Sequence, residues 1–95
     1  ADRLRVLYSA LDDPDTGGRY IYPGFTPVRP DVLALTHDQH YIDRVASTAG
    51  KAYTSLDPDT QTSPLSHEAA CLAAGAATAA VDMVLAGEIK NAFCL

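Results

Sequence analysis

Apolar positions along this 95-residue chain fall into helix-period blocks followed by one short continuous run. Leu4, Leu7, Tyr8 and Leu11 recur at i, i+3, i+4 and i+7. That stripe predicts a helix over about 3–11 with one buried face and Asp2 as its N-cap. Asp12-Asp13-Pro14 ends it, because Pro14 restricts Asp13 and has no N–H to continue the ladder. Asp15 to Gly18 reads as a turn. Arg19 to Pro27 mixes aromatics with Pro23, Gly24 and Pro27, too punctuated for a central strand. It predicts an extended surface connection with Tyr20 or Phe25 tucked against the core.

Pro30 suits the first position of a short helix, 30–35. Asp38 caps the next, about 39–49, whose apolar face is Tyr41, Ile42 and Val45 and whose C′ residue is Gly50. Residues 51–62 are rich in Thr, Ser, Asp and Pro and predict a polar loop. Ser63-Pro64 restarts a helix over about 64–86. Leu72, Ala76, Ala79 and Met83 form one stripe on it; Ala77, Val81 and Leu85 form another. A helix apolar on two sides and built mostly of alanine is one that neighbours approach closely, so a place between a sheet and other helices is expected. Gly87 ends it, and Ala92-Phe93-Cys94-Leu95 reads as a strand over 91–95 buried on both faces. Helix followed by buried strand is the second half of a βαβ unit. The expected class is α/β, mostly helical within these residues, with most of its sheet lying elsewhere.

Composition limits the function. A chain of 95 residues that is 47% hydrophobic is one domain or a piece of one, and a compact chain of this size buries roughly 65% of its unfolded surface. The formal net charge of -5 repels phosphate backbones, and Lys51 and Lys90 sit in no basic cluster, so nucleic acid is not an expected partner. Cys71 and Cys94 read as small buried hydrophobes rather than a disulfide. No signal peptide is recognisable and no apolar stretch is read as a membrane span. Residues 69–86 come nearest, but they carry Asp82. A reducing cytoplasm is the expected setting. The chain opens at Ala1 without an initiator Met and stops on the strand-like run, so both ends are expected to continue in a larger protein.

Candidate chemistry is sparse. Asp13-Pro14-Asp15-Thr16 and Asp57-Pro58-Asp59-Thr60 resemble a cation loop, yet neither has EF-hand ligand spacing, and Asp-Pro and Asp-Thr make ordinary Asx turns. His37-Asp38-Gln39-His40 sets two imidazoles three apart, but zinc needs a third protein ligand, for which only His67, Asp38 or a cysteine is on offer. His37 is therefore read as structural or capping and His40 as exposed, with no metal site assigned. Ser9, Ser47, Ser55, Ser63 and Ser66 lack a strand–turn–helix elbow. The residues alone assemble no catalytic constellation.

Leu56-Asp-Pro-Asp-Thr, Ser63-Pro64, Ser66-His-Glu-Ala-Ala, Leu72-Ala-Ala-Gly-Ala, Ala80-Val-Asp, Val84-Leu-Ala-Gly-Glu and Asn91-Ala-Phe together resemble one continuous segment of the histone deacetylase family, in particular its bacterial, class II-like amidohydrolase (acetylpolyamine amidohydrolase) branch. Ala1-Asp2-Arg3-Leu4 resembles the tail of that family's opening helix, and Asp31 to His37 with Tyr41-Ile42 resembles its Val-His-x-x-x-Tyr-Ile element. The resemblance spans 1–95 and implies the N-terminal portion of a parallel α/β domain of arginase–deacetylase type with flanking helices.

The resemblance further implies hydrolysis of acetyl-lysine or acetylpolyamine amides. In the family, a zinc ion held by two aspartates and a histidine activates water, a histidine pair moves protons and a tyrosine steadies the oxyanion. None of those positions falls within these residues: the strand matching 92–95 leads, in the family, into Val-Arg-Pro-Pro-Gly-His-His. The isolated 95 residues are thus expected to be catalytically incompetent and to hold no cofactor. One site residue carries over. Counting back from Ser63-Pro64 places Asp59 at the rim of the acyl-lysine tunnel, where an acidic side chain hydrogen-bonds substrate amides; an Asx turn made by Asp59 after Pro58 is the equal alternative. The expected partner is the remainder of the enzyme or a second copy of the chain. The alternative function is a stand-alone, non-catalytic oligomerising module.

Overall fold

The computed structural model describes residues 2–15 and 20–95. The chain runs α1 (Asp2–Leu11), α2 (Pro30–Leu33), α3 (Gln39–Ala46), β1 (Thr54–Asp57), β2 (Thr60–Thr62) and α4 (Ser66–Leu85). Between α1 and α2, residues 20–29 form an extended strap without secondary structure of their own. The turn expected over Asp15–Gly18, beyond Asp15 itself, and the start of the connection at Arg19 lie outside the described residues.

Local chemistry explains the helices. The Asp38 carboxylate accepts a 2.8 Å hydrogen bond from the Tyr41 N–H, satisfying one of the orphan donors that open α3. Pro30 occupies the start of α2, where its absent N–H costs nothing. At the end of α4, Gly87 takes φ of 75°. Its N–H donates to the Val84 carbonyl at 3.1 Å while the Glu88 N–H donates to Met83 at 3.0 Å. That pair of bonds is a Schellman motif.

Four helix boundaries differ from expectation. α1 includes Asp2, which therefore stands inside the helix rather than capping it. α2 stops at Leu33 and α3 at Ala46, because the next residues tighten into i→i+3 turns, such as Thr36 N–H to Leu33 and Ala49 N–H to Ala46. Gly50 is correspondingly displaced from the C′ position, although it does take φ of 75°. α4 begins at Ser66, since the Ser63 N–H bonds the Ser66 hydroxyl at 2.9 Å and folds 63–65 into a turn.

Residues 51–62 are not a plain loop. Thr54, Ser55 and Asp57 pair antiparallel with Thr62, Gln61 and Thr60, and Leu56 is the extra residue of a bulge. The two-residue tip, Pro58-Asp59, contains no positive φ. Types I′ and II′ are therefore excluded, and proline could not adopt their first angle in any case.

The terminal strand is also corrected. Residues 91–95 carry no ladder, and Phe93 is 78% exposed. A strand exists only with a partner for its N–H and C=O groups, and the sheet among the described residues is the antiparallel β1–β2 pair. Among the described residues no parallel strand flanks α4.

Burial shows the same deficit. No hydrophobic side chain among the described residues is buried; the buried side chains are Thr48 and Thr62. Leu4, Leu7 and Tyr8 stand exposed along α1, as do Tyr20 and Phe25 in the strap, against the expectation that they reach a core. Cys71 is half-buried and Cys94 exposed, rather than buried, and both thiols are free. Accessible surface totals 7502 Å², roughly 2,200 Å² more than the about 5,300 Å² expected of a compact chain of this mass. The radius of gyration is 15.9 Å where about 12 Å is typical of 95 residues.

α4 is long and apolar enough to cross a membrane by length and composition, which corrects the expectation that no stretch here could. Alanine counts as apolar, so a helix shaped for close packing in a domain interior passes the same test.

Candidate functional site

The hairpin tip is held from three sides. Its base is tied to α3 by the Arg44 guanidinium, which donates to the Leu56 carbonyl. That carbonyl belongs to the bulged residue and so lies outside the regular ladder. Below the hairpin, the Gly50 N–H donates to the Pro64 carbonyl at 3.0 Å, fastening the exit of α3 to the approach to α4. Inside the ladder, the Thr62 hydroxyl donates to the Thr54 carbonyl at 3.2 Å.

At the tip itself, Asp57 makes the Asx turn. Its Oδ1 accepts from the Asp59 N–H at 2.9 Å, as Asp13 Oδ1 accepts from the Asp15 N–H at 2.8 Å. The two Asp-Pro-Asp-Thr stretches thus share turn chemistry. A hydrogen bond from the Thr60 side chain, then the Asp59 N–H, and more weakly the Arg44 charge, hold the Asp57 carboxyl below the usual carboxylate value of 3.8. The turn that sequence could have assigned to Asp59 therefore belongs to its neighbour. Asp59 is left at an exposed apex, with its backbone engaged and its carboxylate making no hydrogen bond or ion pair among the described residues.

The other sequence candidates are scattered. His37 packs against Tyr41 with ring centroids 5.5 Å apart, and His40 is exposed on α3. His67 meets Cys71 on α4. Among the described residues no group of three His, Cys, Asp or Glu side chains stands together. These described residues therefore do not assemble the donor set of a catalytic zinc.

A groove of about 640 Å³ opens elsewhere, walled by Tyr8 of α1, Tyr22 and Phe25 of the strap, Ala76 and Met83 of α4, and Phe93. No hairpin residue lines it, so Asp59 does not face it. One position behind the strap passed unnoticed in the sequence. A Cβ on Gly75 would lie 2.0 Å from the Thr26 carbonyl oxygen and 2.9 Å from the Val28 nitrogen. The strap rests backbone-on-backbone there, and the Val28 N–H donates to the Cys71 carbonyl at 2.9 Å. The signal was a glycine inside an otherwise alanine-rich helix.

All of residues 1–95 match the family model described as histone deacetylase domain. The chain is 37% identical over 91 residues to a histone deacetylase-like amidohydrolase of Pseudomonas aeruginosa, covering 96% of this chain and 24% of that protein. It is 28% identical over 95 residues to histone deacetylase 15 of Arabidopsis thaliana, covering 99% of this chain and 17% of that protein. The chain spans about a quarter of the length of these curated relatives, or less.

Proposed function

The chain belongs to the histone deacetylase family, and from that premise we propose that its 95 residues supply the N-terminal scaffold of a zinc-dependent deacetylase-like amidohydrolase of arginase–deacetylase fold. In this reading they do not themselves carry catalysis. The observation that supports it is the uncovered surface: a family match along the whole chain coincides with no buried hydrophobic side chain among the described residues and a surface excess of roughly 2,200 Å². An interface of standard size buries about 1,200–2,000 Å² in total. The remainder of a deacetylase domain, laid over α4 and the groove, is the cover that such a surface suits. Zinc and the proton-transfer histidines belong to that remainder, and a cytoplasmic setting is proposed with it.

Asp59 is the residue here proposed to meet substrate. An exposed carboxylate on a braced two-residue apex suits a rim position, because the backbone is fixed while the acceptor oxygens stay free. In the complete enzyme, Asp59→Ala should raise KM for an acetyl-lysine peptide about tenfold with kcat retained, as expected for losing one charge-assisted hydrogen bond. An unchanged KM would sink the rim role. The scaffold reading has its own test. The 95-residue chain, verified by intact mass and supplied with zinc, should show no turnover of that peptide. Hydrolysis by it alone would overturn the reading.

The same uncovered apolar surface favours a second reading, a stand-alone module that covers itself with another copy and acts only by binding. Sedimentation of the 95-residue chain separates the two. A concentration-independent monomer supports the scaffold, and a stable dimer supports the module.

A further inference from the structure

The hairpin tip stands on strands of four and three residues, and a two-stranded pair this short does not hold its own direction in water. Fasteners outside the ladder decide where Asp59 stands. At the root, the Gly50 N–H meets the Pro64 carbonyl. The buried side chains among the described residues, Thr48 after α3 and Thr62 in β2, belong to this same unit. Nearer the tip, the Arg44 guanidinium donates to the Leu56 carbonyl.

Arg44 stands in the last turn of α3, where the helix C-terminus favours a cation. The neighbouring Asp43 carboxylate is occupied by the Gln39 amide at 2.8 Å. The bulge takes the Leu56 carbonyl out of the ladder, so that carbonyl needs a donor from elsewhere, and the guanidinium supplies it. Leu56 adjoins Asp57, whose carboxylate holds the Asp59 N–H at 2.9 Å. The Arg44 charge acts weakly on that carboxylate as well. A line of contacts thus runs from α3 to the backbone of Asp59.

We infer that Arg44 is a positioning residue for substrate: it pins the hairpin tip to α3 so that the Asp59 carboxylate meets the substrate amides already in place. The inference rests on the rim role proposed above for Asp59. Arg44 itself touches no substrate. A carboxylate on a swinging tip would lose part of its binding gain to being ordered, and α3 removes that loss beforehand. Such an effect falls on KM and leaves kcat alone.

The test compares Arg44→Ala, Asp59→Ala and the double variant of the complete enzyme on an acetyl-lysine peptide. Arg44→Ala should raise KM about threefold with kcat retained, the low end of coupling within one network. Arg44→Lys, a single point donor in place of a planar fork, should recover part of that loss. In the Asp59→Ala background, Arg44→Ala should change KM no further, because no carboxylate is left to position. The Asp59 amide should exchange faster in Arg44→Ala while the Tyr41 amide at the Asp38 cap keeps its protection. If Asp59→Ala raises KM and Arg44→Ala does not, the inference is overturned and the rim role stands. An Arg44→Ala effect that persists in the double variant, or that falls on kcat, overturns it too, since general loss of structure acts that way. A KM unmoved by Asp59→Ala ends the rim role and this inference together.

Discussion

The two halves of α4 are one helix with opposite surroundings. Its first half is spoken for: Ser63 and Ser66 close the entry, Gly50 bonds Pro64, and the strap sits on Gly75 with the Val28 N–H on Cys71. Its second half lines the groove through Ala76 and Met83 but, apart from the Schellman close at Gly87, ends on an open face. Val81 is 57% exposed and Leu85 81%. Composition does not account for the contrast, since both halves are alanine-rich. Backbone groups do. A hydrogen-bond donor or a crossing carbonyl fixes a neighbour at short range, whereas an alanine or leucine face needs a facing apolar surface, and among the described residues none is packed against Val81 and Leu85.

The largest effect is expected where the strap meets the helix. Gly75→Ala places a methyl inside the Thr26 carbonyl. Overpacking of this kind costs about 1–3 kcal/mol, offset in part by the roughly 1 kcal/mol alanine gains over glycine within a helix. Net destabilisation in urea and faster exchange of the Val28 amide are expected. A more stable protein with Val28 still protected would show that the strap is not seated there. The cap of α3 comes next. Asp38→Ala removes the acceptor for the Tyr41 N–H and should cost about 1 kcal/mol, read as fraying of α3 by amide exchange; unchanged protection of Tyr41 would contradict the cap.

Substitution on the open half should do far less. Leu85→Lys should change the stability of the 95-residue chain by no more than about 0.5 kcal/mol, because an exposed side chain there loses little. A larger loss, with a drop in sedimentation coefficient, would mean that a second copy covers that face. The smallest effect is the pH response of the hairpin tip. The Asp57 carboxyl titrates below its unfolded value of 3.8, so its contribution is fully present above that value and is lost as pH falls through the lower, folded one. Amide shifts of Asp59 and Thr60 should move over that acidic range, and in Asp57→Asn the movement should be gone.

Much of the local structure was legible. Asp38 as a cap, Pro30 at a helix start, Gly87 as a stop and the paired Asx turns each follow from one side chain acting on backbone within four residues. The hairpin escaped because its strands are three and four residues long and its Pro58-Asp59 tip lacks the Asn-Gly signature. The threonines at 54, 60 and 62 were the available hint. The Asp-Pro-Asp-Thr motif drew attention to Asp59, but the aspartate whose carboxylate closes the turn is Asp57, which accepts from the Asp59 N–H.

The sequence by itself determined the family, the four helices and the stops and starts at Pro30, Asp38 and Gly87, because those depend on periodicity and on contacts a few residues apart. Tertiary structure alone decided three things: that Gly75 carries a crossing strap, that Leu56 bulges toward Arg44, and that residues 91–95 stay unpaired. Each depends on what stands opposite. A strand without a partner has no ladder, and an apolar stripe without a facing surface has no core, however clearly the pattern of residues calls for one.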